Sequence, residues 1–169
     1  MSGVHFHLVF THAAVATIII GLVVTLWSLF RRSNEVRTTG LGLVLAGALL
    51  MIPVYLTGED AEHVIEDHTT ISHEVIHEHE ESAEFTFIAV EILGAAALLA
   101  LLIGARRKSG STGFAVGVLV LGAVVSFLMM RTANLGGEIR HSEIRSAAST
   151  GSSPATAPQQ ESENHEHSD

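Results

Sequence analysis

The sequence predicts an all-α, integral membrane four-helix bundle, with a helical His/Glu-rich loop between its second and third helices and a disordered C-terminal tail. Three observations carry that expectation. Apolar residues gather into four blocks, 6–30, 38–57, 85–105 and 113–130, each near the roughly 20 residues a helix needs to cross a hydrocarbon core of about 30 Å. Basic residues cluster in the short connections after the first and third blocks. Acidic residues and histidines cluster at the opposite ends of the same blocks.

The first block, residues 6–30, carries its positive charges, Arg31 and Arg32, after the apolar run. A cleavable leader has them before it, so this block is expected to stay as the first helix. The second helix is expected over about 38–57, with Pro53 near one end, where neighbouring helices can satisfy a freed carbonyl. Between Thr70 and Ala105 the first helix breaker is Gly94. The third helix is therefore expected over about 70–105, beginning several turns outside the membrane. The fourth is expected over about 113–133, followed by Gly136 and Gly137, which allow a turn or a close backbone contact. Residues 1–145 then form the transmembrane domain. The tail, 146–169, is rich in Ser, Ala, Thr, Pro and Gln and lacks an apolar period, so it is expected to be disordered.

Arg31, Arg32 and Arg37 lie in the first short loop, and Arg106, Arg107 and Lys108 in the second. By the positive-inside rule both loops are cytoplasmic. Both termini and the long loop then face the periplasm of a bacterial inner membrane. That loop holds Glu59, Asp60, Glu62, Glu66, Asp67, Glu74, Glu78, Glu80 and Glu81 without a Lys or Arg, and the whole chain has a formal charge of −9. No nucleic-acid partner is expected. None of the 11 histidines falls on the cytoplasmic side. With no cysteine, the chain offers no thiolate ligand and no covalent haem attachment, so any cofactor rests on His, Glu, Asp, Met or backbone.

On the third helix His73, His77, Glu80 or Glu81, Glu84 and Glu91 recur along one face. His79 is off that face, and a solvated position is expected for it. Imidazole and carboxylate on one stripe can ligate a metal or relay protons. Glu91 lies nearly two turns inside an apolar block, where a carboxylate costs several kcal/mol and is expected to face the bundle interior with a partner or stay protonated. On the first helix His12 is at a comparable depth and shares a face with His5, while His7 is rotated away from both. After the fourth helix, Arg140 and Arg145 are of the type that binds carboxylates such as haem propionates. His141 stands between them.

The sequence resembles a bacterial four-helix membrane protein family catalogued as domain of unknown function 2231. The resemblance spans roughly residues 4–145. It rests on His7 and His12 opening the first helix, on Thr57-Gly58-Glu59-Asp60 after the second, on histidines before the third and on Gly136-Gly137 after the fourth. Two departures stand out: the prolines that normally follow both first-helix histidines are missing, and His141 is not at the family's usual distance from the glycine pair. The resemblance implies a four-helix fold with both termini outside and a redox or haem-associated role beside periplasmic cytochromes.

From these residues the expected function is a membrane redox-associated subunit rather than a catalyst. It would bind b-type haem near the outer face and link the quinone pool to periplasmic electron carriers. Expected cofactor residues are His7, His12, His73, His77, Arg140 and His141, with one of His7 or His12 facing one of His73 or His77 across the bundle. One alternative is a divalent metal protein for Cu or Zn, using His12, His73, His77, Glu84 and Glu91. Another is an accessory subunit of a larger respiratory or photosynthetic complex. Expected partners are the lipid bilayer and other subunits or a periplasmic redox protein.

Overall fold

Four helices make up the computed structural model, which describes residues 3–58, 73–106 and 112–140, with residues 3–5, 73–76 and 138–140 described in backbone only. They are α1 (Gly3–Arg31), α2 (Asn34–Leu56), α3 (His73–Arg106) and α4 (Thr112–Arg140). All four are long and apolar enough to cross a membrane, and no strand occurs among the described residues. Each helix packs against its sequence neighbour, and α1 closes against α4, so α1 and α3 stand diagonally across an up-down-up-down bundle. The expected all-α four-helix bundle is the observed one.

The outside of the bundle is as apolar as its core. Ile20, Val23, Trp27, Leu49, Leu56, Ile92, Leu99, Val120, Val124 and Phe127 are all exposed. Such a surface is unfavourable in water and suits lipid. Inside, Ala14, Ile18, Leu41, Val44, Ala48, Val90, Leu93, Ala97, Val118 and Val125 form the core.

Lipid supplies no hydrophobic force between helices, so close packing of small residues must hold them. The α1–α2 pair is the most extensive contact. A Cβ placed on Gly21 would stand 2.7 Å from the backbone nitrogen of Val44 and 2.9 Å from the Gly40 carbonyl oxygen; one on Gly40 would stand 2.6 Å from the Thr25 nitrogen. One on Gly47 would meet the Ile18 nitrogen at 3.0 Å. These are contacts against backbone, which cannot swing aside. The α2–α3 seam has the same device at Gly94, where an added Cβ would lie 2.5 Å from Ala48 Cβ.

The α1–α2 turn is two residues long. Ser33 N–H reaches back to the Ser28 carbonyl at 3.3 Å while Arg32 adopts φ 49°, the left-handed step of a Schellman-type ending. Ser33 then caps α2 by accepting from Val36 N–H. At this end Arg37 is buried and donates Nη1 to Asn34 Oδ1 at 3.1 Å. This end also carries Arg31, Arg32 and Arg106 and is called the basic end below; the opposite one is the histidine end.

Two expected boundaries move. α2 starts at Asn34 rather than 38, because the Ser33 cap begins the helix before the apolar run does. α4 continues to Arg140 through Gly136 and Gly137, so the glycine pair is helical and makes no turn. The expected 70–72 start of α3, most of the acidic loop and the tail fall outside the described residues.

The glycine contacts give a direct expectation. Gly21→Ala and Gly47→Ala should each destabilise the bundle by about 1–3 kcal/mol, the usual range for overpacking, seen as a lower midpoint of thermal unfolding in detergent. Gly42→Ala, with nothing within 4 Å of the added methyl, should be neutral or stabilising by up to about 1 kcal/mol through helix propensity.

Candidate functional site

Along α1 the inward-facing positions are His7, Thr11, Ala14, Ile18, Gly21, Thr25 and Ser28, alternating steps of four and three. His7 is therefore the polar end of the buried stripe. Its Nδ1 lies 3.0 Å from the Val54 carbonyl oxygen and 3.3 Å from Thr57 Oγ1. A carbonyl only accepts, so Nδ1 carries the proton and donates, and Nε2 keeps its lone pair. Thr57 completes the support by donating its hydroxyl to the Pro53 carbonyl at 2.8 Å.

On α3 the inward positions are His79, Ser82, Thr86, Val90, Leu93, Ala97 and Ala100. His79, expected to be solvated, is instead turned into the bundle. Its Nδ1 is buried with no hydrogen-bond partner, and the ring is turned toward the backbone of Thr132 on α4. His7 and His79 lie within electrostatic reach of one another. Two diagonal helices thus each turn an imidazole inward at the histidine end, with the close of α2 beside His7 and the last turns of α4 beside His79.

Glycine makes the room. A Cβ on Gly136 would stand 3.1 Å from His79 Cε1 and 3.4 Å from its Nδ1, and one on Gly58 would lie 3.8 Å from His7 Cε1. The close backbone contact expected of the glycine pair is found at Gly136, against an imidazole.

Below His79 a hydroxyl cluster joins α3 to α4. Thr132 Oγ1 is 2.8 Å from both Ser82 Oγ and Thr86 Oγ1 and 3.1 Å from the Ser82 carbonyl oxygen. A hydroxyl has one proton and two lone pairs. With Thr132 donating to the carbonyl, it accepts from both neighbours and all three hydroxyls are satisfied.

The other expected residues fare differently. His12 is exposed on the outer face of α1, where its Nδ1 donates to its own helix at the Leu8 carbonyl, 2.7 Å away. His77 is exposed, with Nδ1 3.7 Å from Glu80 Oε2 and Nε2 3.6 Å from Glu81 Oε1; solvated pairs of this kind contribute little. Glu84 is exposed and Glu91 partly so, with Oε1 buried and unpartnered. His73 opens α3 and Arg140 ends α4, but their side chains lie outside the description, as does all of His141. Of the expected pairing, one of His7 or His12 with one of His73 or His77, His7 turns inward and His12 and His77 do not, while the side chain of His73 lies outside the described residues; the inward imidazole of α3 among the described residues is His79. The phase of each helix, rather than the depth of each residue, sets which imidazole turns inward.

No cluster of three or more His, Asp or Glu able to hold a metal ion occurs among the described residues. No protein-family model matches the chain, and no curated protein or solved structure is significantly similar to it.

The contact at Gly136 can be read spectroscopically. In protein labelled on its histidine rings, Gly136→Ala should shift the His79 resonances, because the methyl displaces the ring. Gly137→Ala, which meets nothing within 4 Å, should leave them in place.

Proposed function

We propose that this chain is a membrane subunit that holds a haem b at its histidine end, with His7 and His79 as the axial pair. The observation that carries the reading is the convergence of these two imidazoles from diagonal helices. A bis-histidine haem b takes two neutral imidazole nitrogens facing one another, an arrangement that a helix bundle can supply from facing helices. His7 meets the chemical requirement: its Nδ1–H is held by a backbone carbonyl, which fixes the ring and leaves Nε2 as donor, the usual support of a ligating histidine. His79 offers a buried nitrogen with no other partner. The donor set fits in kind, two imidazole nitrogens on inward faces, and haem would supply one-electron transfer there. The protein's part is to hold both rings, to exclude water with the surrounding helices and to keep the Ser82–Thr132–Thr86 cluster locked beneath them.

A tetrahedral zinc centre wants four ligands, more than the two histidines provide. Copper(I), which imidazole also suits, is the second reading, favoured by the same two-nitrogen set. The redox reading accords with the resemblance to the four-helix family and links the quinone pool to a periplasmic carrier. The histidine end would face the periplasm, with the termini of the chain, because Arg31, Arg32, Arg37 and Arg106 all lie at the other end.

The deciding experiment is an absorption spectrum of protein purified in mild detergent, with iron and copper quantified. A Soret band is expected in wild type, lost in His7→Ala and His79→Ala and kept in His12→Ala and His77→Ala. Stoichiometric copper without a Soret band moves the assignment to the second reading. Neither, in wild type, leaves the accessory-subunit reading. Reporter fusions at Arg32 and Arg107 should both read cytoplasmic; a periplasmic reading at either overturns the orientation.

A further inference from the structure

Glu91 takes no part in the histidine site and lies on a different seam. On α3 it stands between Phe87, one turn towards the histidine end, and Gly94, nearly one turn the other way. Phe87 stacks on Tyr55 of α2, with ring centroids 4.3 Å apart and planes 11° from parallel. Gly94 is in close contact with Ala48 of α2. The α2–α3 seam is thus bounded by a ring contact on one side of Glu91 and a glycine contact on the other. Around it Ile88 and Ile92 are exposed, Tyr55 is 46% exposed, and Glu91 itself is partly open.

Glu91 Oε1 is buried with no hydrogen-bond partner, and no cation lies beside it among the described residues. A buried unpaired polar oxygen costs free energy that a protein carries only for a reason. What can reach this carboxyl must come through lipid, since it lies six residues, or about 9 Å, along the helix from the start of the apolar block at Phe85. Phospholipid head groups stay at the interface and their phosphates would be repelled by a carboxylate. The fitting ligand dissolves in hydrocarbon, carries a flat ring to lie beside Phe87 and Tyr55, and offers a hydroxyl or carbonyl to the carboxyl group.

We propose that the α2–α3 seam at Glu91, Tyr55 and Phe87 is a lateral docking site for the ring of a membrane-dissolved quinone or quinol, entered from the bilayer. Glu91 forms the hydrogen bond, and the isoprenoid tail stays in lipid over Ile88 and Ile92. The choice of a quinone among hydrocarbon-soluble ring compounds rests on the redox reading above. The site itself rests on the unpartnered Glu91 Oε1 beside the Tyr55–Phe87 ring pair and the exposed Ile88 and Ile92.

The test uses the full chain in lipid nanodiscs and two probes, decylubiquinone for affinity and a photoreactive azidoquinone for location. Photolabel is expected on residues 84–95 of α3 and 51–56 of α2. Glu91→Leu should weaken decylubiquinone binding at least tenfold and Tyr55→Leu several-fold, while Glu91→Gln, which keeps a hydrogen-bonding group and the side-chain volume, should retain most of it. Labelling spread over all four helices, or an unchanged affinity in Glu91→Leu, overturns the proposal. So does an inter-copy crosslink through position 91 that excludes the probe, since the carboxyl then serves a second copy of the chain. A wild type without a Soret band that still binds quinone at this seam would remove the haem and keep the docking site; the reverse result would do the opposite.

Discussion

The near-backbone contact between α1 and α2 governs the rest of the molecule. Because Gly21, Gly40 and Gly47 let the two helices touch main chain to main chain, their register cannot slide by a turn without a clash. That register puts His7 opposite the close of α2, where Val54 offers a carbonyl and Thr57 a hydroxyl. In lipid the hydrophobic effect does not distinguish one helix pairing from another, so steric fit and hydrogen bonds choose it. The α3–α4 pair uses the second device: Ser82, Thr86 and Thr132 form an interhelical hydroxyl knot where α1 and α2 use glycine. The two pairs are thus held by different means, and the imidazoles stand where they meet.

The number of helices, their apolar blocks and the separation of basic from acidic ends were legible from hydropathy and charge, because both are properties of whole segments. The inward face of each helix was less legible. On α1 the stripe His7, Thr11, Ala14, Ile18, Gly21, Thr25, Ser28 has a clean alternation of four and three. Yet it is made of small and hydroxyl residues, and a membrane helix hides its small residues and shows its large ones to lipid. A reading that seeks large apolar residues at buried positions finds the lipid face instead. Depth alone then favoured His12, which proves to be bonded to its own helix. The same inversion hid His79, whose stripe continues as Ser82 and Thr86 before turning apolar at Val90. The signal was present: seven positions of α3 in steps of three and four starting from a histidine. For Gly136 the sequence left a turn and a close backbone contact equally open, since glycine serves both, and here it lets α4 run alongside an imidazole.

Polar groups are distributed in this bundle by whether they can be satisfied locally. Thr25 and Ser28 are buried near the basic end and donate to carbonyls of their own helix at 2.8 and 2.6 Å, so they add no demand on neighbours. His7 and the hydroxyl knot are satisfied between helices and tie them together. His79 Nδ1 and Glu91 Oε1 are satisfied by neither. They stand apart from each other, one inside the bundle at its histidine end and one on the seam between α2 and α3.

The two-residue link between α1 and α2 bears on how the chain enters the membrane. With Arg32 in a left-handed step and Ser33 already capping the next helix, no slack remains for the helices to cross the bilayer separately and find each other later. The pair is a tight hairpin with its positively charged bend at the basic end. The hairpin holds its own glycine contacts and the His7–Val54 hydrogen bond, so the position of the His7 ring is set by α1 and α2 alone, and α3 and α4 pack onto a surface those two helices already define.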